Sequence, residues 1–211
     1  MAFTPYLIGI GGPSGAGKSA LAEHLCGRLP GPALVVPMDA YYRDLGDLAP
    51  EARLRVNFDH PDAVDHEPLL SHLTHLAAGE SVDRPVYQFP SHTRAAQAER
   101  VEPAPFVIVE GLLALHWAEI RRLLRTAVFV DLPDEVCLQR RLARDTAARG
   151  RSAESVLAQY AETVRPMRER YVTPTRTFAH IVVSGADPLA VSADRVLAHV
   201  AATRENSTPD L

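Results

Sequence analysis

The stretch Gly12-Pro13-Ser14-Gly15-Ala16-Gly17-Lys18-Ser19 limits what this chain can become more than any other segment. It fits the spacing G-x-x-x-x-G-K-[S/T] and follows the apolar run Tyr6 to Ile10. A helical pattern then extends from about Gly17 to Leu29, closed by Pro30-Gly31. Strand, glycine loop and helix in that order make a phosphate cradle. The glycines let the backbone curl so that its N–H groups converge at a helix N-terminus, where partial positive charge accumulates. Lys18 then reaches the β- and γ-phosphates of a nucleoside triphosphate, and the Ser19 hydroxyl ligates Mg²⁺. A chance match in this composition is on the order of 3 in 10,000, even before a flanking strand and helix are required. Twenty-one of the 22 basic residues are arginine, and Lys18 is the only lysine. A single lysine in an arginine-rich chain points to a role for a compact ammonium that a planar guanidinium cannot fill.

With 211 residues, 46% of them apolar, the chain can bury a core without a metal or disulfide staple. Its longest apolar runs, such as Ala33 to Met38 and Phe106 to Val109, are far shorter than the ~18 residues of a membrane-spanning helix. Met1 to Pro5 carries no signal-peptide pattern, and Cys26 and Cys137 stand apart, so a reducing, cytoplasmic setting with two buried thiols is expected. A net charge of −4 speaks against a general nucleic-acid or anionic-membrane binder.

Further short strands are expected at Ala33 to Pro37, Phe106 to Val109, Ala127 to Val130 and Ile181 to Val183. Helices are expected at about His66 to Ala78, with Asp65 as N-cap and Gly79 as stop, at Asp134 to Ala148, and at Pro188 to Ala202. Apolar strands alternating with helices imply an α/β fold, a P-loop NTPase-type three-layer sandwich on a five-stranded parallel sheet with ligands at the carboxyl ends of the strands. One domain is expected over residues 1–202. It carries a proline-punctuated insertion at about 57–102, an arginine-rich lid at about 140–160, and a flexible tail at 203–211.

Other patterns fail on inspection. A dinucleotide fingerprint from Gly9 would place Ser14 where a third glycine or alanine is required, and a G-x-S-x-G elbow meets Ala16. His66-Glu67 lacks a second histidine four residues on, and His72 with His75 reads as a polar helix face. Two features instead point to a phosphoryl acceptor. Asp39, at the tip of the second strand, stands where an acceptor hydroxyl could surrender its proton in line with the γ-phosphorus; the plainer role is to cap the following turn. Arg140, Arg141, Arg144, Arg149 and Arg151 put five guanidiniums into twelve residues. Beside a phosphate loop they suit a closing lid; elsewhere such a run would be a solvated face with Asp145 and Glu154 as partners.

From Ile8 to about Asp187 the chain resembles the uridine kinase (uridine-cytidine kinase) family. Beyond the glycine loop, the resemblance is carried by Asp39-Ala40-Tyr41-Tyr42-Arg43-Asp44, Asn57-Phe58-Asp59-His60-Pro61-Asp62-Ala63, Pro85-Val86-Tyr87-Gln88-Phe89 and His92-Thr93-Arg94. Glu110-Gly111, Val128-Phe129-Val130-Asp131, Arg140 to Asp145, Arg149-Gly150-Arg151 and Gln159-Tyr160 complete it. Gln88, where many members carry an acid or serine, and Leu112-Leu113, where isoleucine is usual, depart from the pattern.

The resemblance implies a kinase that transfers a phosphoryl group from ATP, or GTP, with Mg²⁺ to the 5′-hydroxyl of uridine and cytidine. Another small-molecule kinase of phosphoribulokinase-like or pantothenate kinase-like type is the nearest alternative. It implies Asp39 as general base, Lys18, Arg144 and Arg149 as catalytic cations on the phosphates, and Ser19, Glu110 and Asp39 around the metal. It assigns Asp59 and Arg141 to the ribose, and Tyr42, Phe58 and Phe89 to flat contact with the pyrimidine. Tyr87, His92, Arg151 and Gln159 make the polar contacts with the base. Core packing remains the plain alternative for Phe58 and Phe89. The resemblance further implies a homo-oligomer, a tetramer, with no nucleic-acid or membrane partner.

Because the lone ammonium must slip between phosphate oxygens, Lys18→Arg is expected to lower kcat by roughly 100-fold or more. Steady-state kinetics check this, and turnover at the unsubstituted rate would dissolve the lysine argument.

Overall fold

Residues that are buried on both sides of a strand demand cover on both sides, and β1 (Tyr6–Gly11) is buried at every position. The computed structural model describes residues 4–148 and 150–206, so the tail residues 207–211 and Arg149 lie outside it. After β1 come α1 (Lys18–Cys26), β2 (Ala33–Pro37), α2 (Pro50–Arg53) and α3 (His66–Ala77). The short strands β3 (Val82–Arg84), β4 (Tyr87–Gln88), β5 (Thr93–Arg94) and β6 (Glu99–Val101) follow, and then β7 (Phe106–Glu110) and α4 (Ala118–Leu123). The chain continues through β8 (Thr126–Asp131), α5 (Asp134–Ala148), α6 (Ala153–Gln159), α7 (Arg165–Met167), β9 (Ile181–Ser184) and α8 (Leu189–Glu205).

Five strands form one parallel sheet in the order β2-β7-β1-β8-β9, with β1 at its centre. Alternate residues of the inner strands serve opposite layers. Tyr6, Ile8 and Ile10 pack with Leu21 and Leu25 of α1 and Val196 and Val200 of α8. Leu7, Val107 and Val109 pack with Leu69, Leu73 and Leu76 of α3 and Ile120 of α4. Burying a side chain such as Leu69 contributes about 1.5–3 kcal/mol, so each layer is held by several such contacts. The expected three-layer α/β sandwich on a five-stranded parallel sheet is the observed fold. No helix among the described residues is long and apolar enough to cross a membrane.

Several local expectations change. β2 is an edge strand and mostly half-buried, not a fully buried one. Arg84 from β3 covers that edge, donating from Nη1 to the Val35 carbonyl at 3.0 Å. Asp65 does not cap α3 with its side chain. Its carboxylate instead faces Arg94 at 3.4 Å and Arg43 at 3.6 Å, so charge pairing takes the oxygens that a cap would have used. His72 is not merely solvated, since its Nδ1 hydrogen-bonds the Tyr41 hydroxyl at 2.9 Å and burial lowers its pKa. Cys26 is half-buried while Cys137 is buried. The last helix runs to Glu205, past the expected end at Ala202.

The insertion carries α3 and two small antiparallel pairs, β3 with β6 and β4 with β5. Between α6 and β9 the chain stays helical, but π turns at Tyr160–Val164 and Arg168–Val172 flank α7, and a 3₁₀ segment, Thr173–Phe178, ends the stretch. This arm returns the chain from α6 to the sheet.

Candidate active site

β1 leads straight into the glycine loop, and two glycines show why no other residue serves. Gly17 adopts φ +97° at the N-cap of α1, a left-handed conformation that strains any side chain. Gly12, at φ +139°, lies so close to the Val130 carbonyl oxygen that an added Cβ would collide with it. The loop thereby delivers Lys18 and Ser19 to the carboxyl end of the sheet. Lys18 is buried, and its Nζ donates to the Pro13 carbonyl at 2.9 Å. Burial lowers its pKa, while the charges of Glu110 and Asp39 pull it back up. Ser19 Oγ donates to Glu110 Oε1 at 3.1 Å. Burial also raises the pKa of Glu110, against the pull of Lys18.

The second wall assembles from the segment after β2 and from the insertion. Asp39 sits in the 3₁₀ turn Met38–Tyr41 that follows β2 directly. The Tyr42 hydroxyl hydrogen-bonds the Asp39 carboxylate, and burial followed by the charges of Asp39 and Asp59 holds that phenol well above its ordinary pKa. Asp59 is 9% exposed. Its backbone N–H donates to Asn57 Oδ1 at 3.1 Å, a local turn that fixes the direction of Phe58 and Asp59. Burial raises the Asp59 pKa and Arg141 opposes this, with Asp39 and Lys18 also within electrostatic reach.

Aromatic rings line one wall. His92 stacks on Phe58 at 4.8 Å and 23°, and Tyr42 meets Phe58 and Tyr87 edge-on at 5.2 and 5.5 Å. Phe89 reaches Tyr87 at 5.3 Å and stands at the rim, 51% exposed. Phe58 and Phe89 therefore belong to the cavity wall and not to the core. His92 takes a left-handed φ of +55°, unusual outside glycine, and its Nδ1 is buried with no protein partner. The Tyr87 hydroxyl is likewise buried and unpaired, and burial pushes its pKa up to about 12, so it remains a donor. Buried polar atoms without partners are rare and costly, and two on one aromatic wall mark a place where a ligand supplies the partner. Burial, helped by the charges of Arg151 and Arg53, lowers the His92 pKa and keeps the ring neutral near pH 7.

The third wall comes from α5 and α6. Arg141 is buried and donates from Nη2 to Gln159 Oε1 at 3.0 Å and from Nη1 to Ser14 Oγ at 3.4 Å. Arg151 donates to the same Gln159 oxygen at 2.6 Å. Arg144, Arg141 and Arg151 all face Asp145, which is fully buried, so Asp145 is not the surface partner of a solvated face, although Arg140 and Arg144 remain exposed. These walls enclose a cavity of about 400 Å³, within the range of small-molecule sites.

The cavity brings together Ser14, Gly15, Gly17, Lys18, Ser19, Asp39, Glu110 and all nine residues expected to hold a nucleoside, along with Arg144. Gly12, Pro13 and Ala16 shape the loop without lining the cavity, and Ala16 packs in the core. Arg149 lies outside the described residues. Sequence reasoning gave no individual role to Arg140, which lines the cavity and donates to the Gly15 carbonyl at 3.3 Å, or to Leu112. Nor did it give Asp145 any part beyond that of a partner to solvated arginines. The position of Arg140, one residue before Arg141 in a dense arginine run, was the available signal.

The profile of the family described as "Phosphoribulokinase / Uridine kinase family" matches residues 7–191 of the chain. The chain belongs to that family. Within the phosphoribulokinase/uridine kinase family, a protein from Chloroflexus aggregans named uridine kinase is 40% identical over 98% of this chain and 99% of its own length. A uridine kinase from Erwinia tasmaniensis is 43% identical over 84% of this chain and 85% of its own. Among solved structures, phosphoribulokinase from Rhodobacter spheroides superposes with a TM-score of 0.66 at 14% identity, covering 88% of this chain and 74% of that one. The structural likeness speaks for the shared fold.

Burial raises the Asp59 pKa, so the folded state holds this proton more tightly than the unfolded chain does. As pH rises through the interval from the ordinary value of 3.8 to the raised one, the unfolded state loses the proton first and stability falls. At neutral pH the ionised carboxylate therefore costs stability. Asp59→Asn is expected to raise Tm at pH 7, with the advantage shrinking as pH falls through that interval. Calorimetric scans across pH test it, and a lower Tm at pH 7 would contradict the analysis.

Proposed function

We propose that the protein transfers the γ-phosphoryl group of ATP, in the presence of Mg²⁺, to the 5′-hydroxyl of uridine or cytidine, yielding UMP or CMP in pyrimidine salvage. One observation carries the reading: Asp39 and Asp59 face a single cavity with Lys18, and the aromatic wall beside them ends in two unpaired polar atoms. The names of the relatives above support the same substrate class.

Each role follows from chemistry. Asp39 accepts the 5′-hydroxyl proton as the oxygen attacks the γ-phosphorus, and its bond from Tyr42 orients it. Asp59 offers two oxygens to the vicinal 2′- and 3′-hydroxyls. A neutral His92 can donate to O4 of uracil or accept from the N4 amine of cytosine, because its two nitrogens play opposite parts. Lys18, Arg144 and Arg149 neutralise charge on the transferring phosphoryl group, and the lid excludes water. Ser19 and Glu110, already within 3.1 Å of each other, present oxygen donors suited to a hard cation and would hold Mg²⁺ with Asp39 close by. When bound, Mg²⁺ neutralises charge on the β- and γ-phosphate oxygens. A cytoplasmic homotetramer goes with this reading, checked by light scattering on purified protein.

A coupled assay with ATP·Mg or GTP·Mg against uridine, cytidine, 2′-deoxyuridine, ribulose 5-phosphate and pantothenate tests the proposal. Uridine and cytidine are expected to turn over. Deoxyuridine should have a kcat/KM at least about 100-fold lower, because its missing hydroxyl leaves an Asp59 oxygen unpaired. Preference for ribulose 5-phosphate or pantothenate would replace the reading, and parity of deoxyuridine would dismiss the role of Asp59. Asp39→Asn is expected to reduce kcat by about 10²- to 10⁴-fold with near-normal ATP affinity. Retention of most of the turnover would remove its role as base.

A further inference from the structure

Asp145 touches none of the space a substrate would fill, yet among the described residues three arginines of the run converge on it. Its side chain is 0% exposed. Arg144 Nε donates to its Oδ1 at 2.9 Å. Arg141 Nε and Arg151 Nη1 face its Oδ2 at 3.7 and 3.8 Å, and its backbone carbonyl accepts from the Arg151 N–H at 3.2 Å. Arg141 and Arg151 also share the Gln159 oxygen, so they form one connected group on the nucleoside side. Arg144 belongs to the other half of the site: it lines the cavity, and its charge acts on Lys18 and Asp59.

Two physical points separate Asp145 from an ordinary ion pair. A buried ion pair is a poor way to gain stability, since well-packed apolar residues of similar volume do as well or better. Arg144 is moreover 41% exposed, so without a fixed partner its long side chain would sample many rotamers at the moment it must face the phosphates. Engagement through Nε leaves the Nη fork, the part that grips phosphate oxygens, unconsumed by this bond.

We propose that Asp145 is the positioning residue of the lid: it aims the Arg144 fork at the transferring phosphoryl group and ties that arginine to the pair that closes over the nucleoside. This rests on the kinase reading above, and on Arg144 acting at the phosphates within it. A residue that acts through Arg144 should move kcat more than KM, and its effect should vanish once Arg144 is gone.

The test is a double-mutant cycle of Asp145→Asn and Arg144→Ala, read as kcat and KM for uridine, with thermal melts as the control for folding. Asp145→Asn is expected to lower kcat by roughly tenfold to a hundredfold, with KM for uridine changed less than about threefold. In the Arg144→Ala background the same substitution should change kcat by less than about threefold. If the two effects multiply, or if Asp145→Asn turns over at the unsubstituted rate, the proposal is overturned. An Arg144→Ala variant with unsubstituted kcat removes the phosphate role of Arg144 itself, and the proposal falls with that part of the kinase reading. Should Asp145→Asn fail to fold, Asp145→Glu takes its place in the cycle, keeping the charge but displacing it by a methylene. If neither folds, Asp145 is a structural ion-pair residue and the proposal is wrong.

Discussion

Ile10 on β1 and Pro37 on β2 both stand opposite Glu110 on β7, so three neighbouring parallel strands end at one level. From that level the chain continues into the glycine loop after β1 and into the turn bearing Asp39 after β2, with Glu110 closing β7 between them. The pairing thus brings the glycine loop and the carboxylates of Glu110 and Asp39 to one edge with no help from the insertion or the arginine-rich segment. A slip of one residue in any of these strands would turn a chemical side chain into the opposite layer and an apolar one toward the ligand. The apolar layers on both faces, Leu69 and Leu73 on one and Leu21 and Leu25 on the other, hold the strands in that register.

Charge at this edge is arranged against stability. Asp39, Asp59 and Glu110 crowd the surroundings of one buried ammonium, and burial pushes the pKa of Asp59 and Glu110 up and that of Lys18 down. On the kinase reading proposed above, a bound metal would bring positive charge to these carboxylates, and a ribose would bring donors for Asp59. The electrostatic strain is the form that preorganisation takes in a site of this kind. Lysine suits the innermost position because its charge is compact and its stem slim, whereas the arginines of α5 present planar forks.

What could be read in the sequence followed the strength of local signals. β1, β7, β8 and β9 are short apolar runs with clear ends, and each fell within a residue or so of its observed bounds. The glycine loop and Asp39 were legible because spacing and context fix them together. The α4 turns, Ala118 to Leu123, went unread because six residues carry too little periodicity. The helical arm from Tyr160 to Phe178 was hidden by Pro166 and Pro174, which usually end helices. Here they open short segments, α7 and the 3₁₀ turns, where the missing N–H is no loss. Strands of two or three residues in the insertion lie below any pattern. Asp65 looked like a cap because local sequence cannot show Arg94, which arrives from 29 positions away to claim its carboxylate. The same blindness hid Asp145, whose burial arises from the way α5 meets α6.

The two halves of the cavity differ in how firmly they are held. On the loop side Lys18 is buried, Ala16 is 0% exposed and packed in the core, and the backbone is pinned where Gly12 meets β8. On the opposite side Phe89 and Arg144 are substantially exposed, and the lid leads into an arm broken by π turns. Arg141, Asp145, Val156 and Tyr160 are nevertheless buried there, so it is the exposed rim side chains, Phe89 and Arg144, that small free energies can move. On the kinase reading proposed above, the backbone amides of the glycine loop would receive the triphosphate as a fixed array, and the exposed rim side chains would be the ones that order on an acceptor. On that reading the γ-phosphoryl group would meet a sugar hydroxyl, and not water, when the guanidiniums come to bear on it.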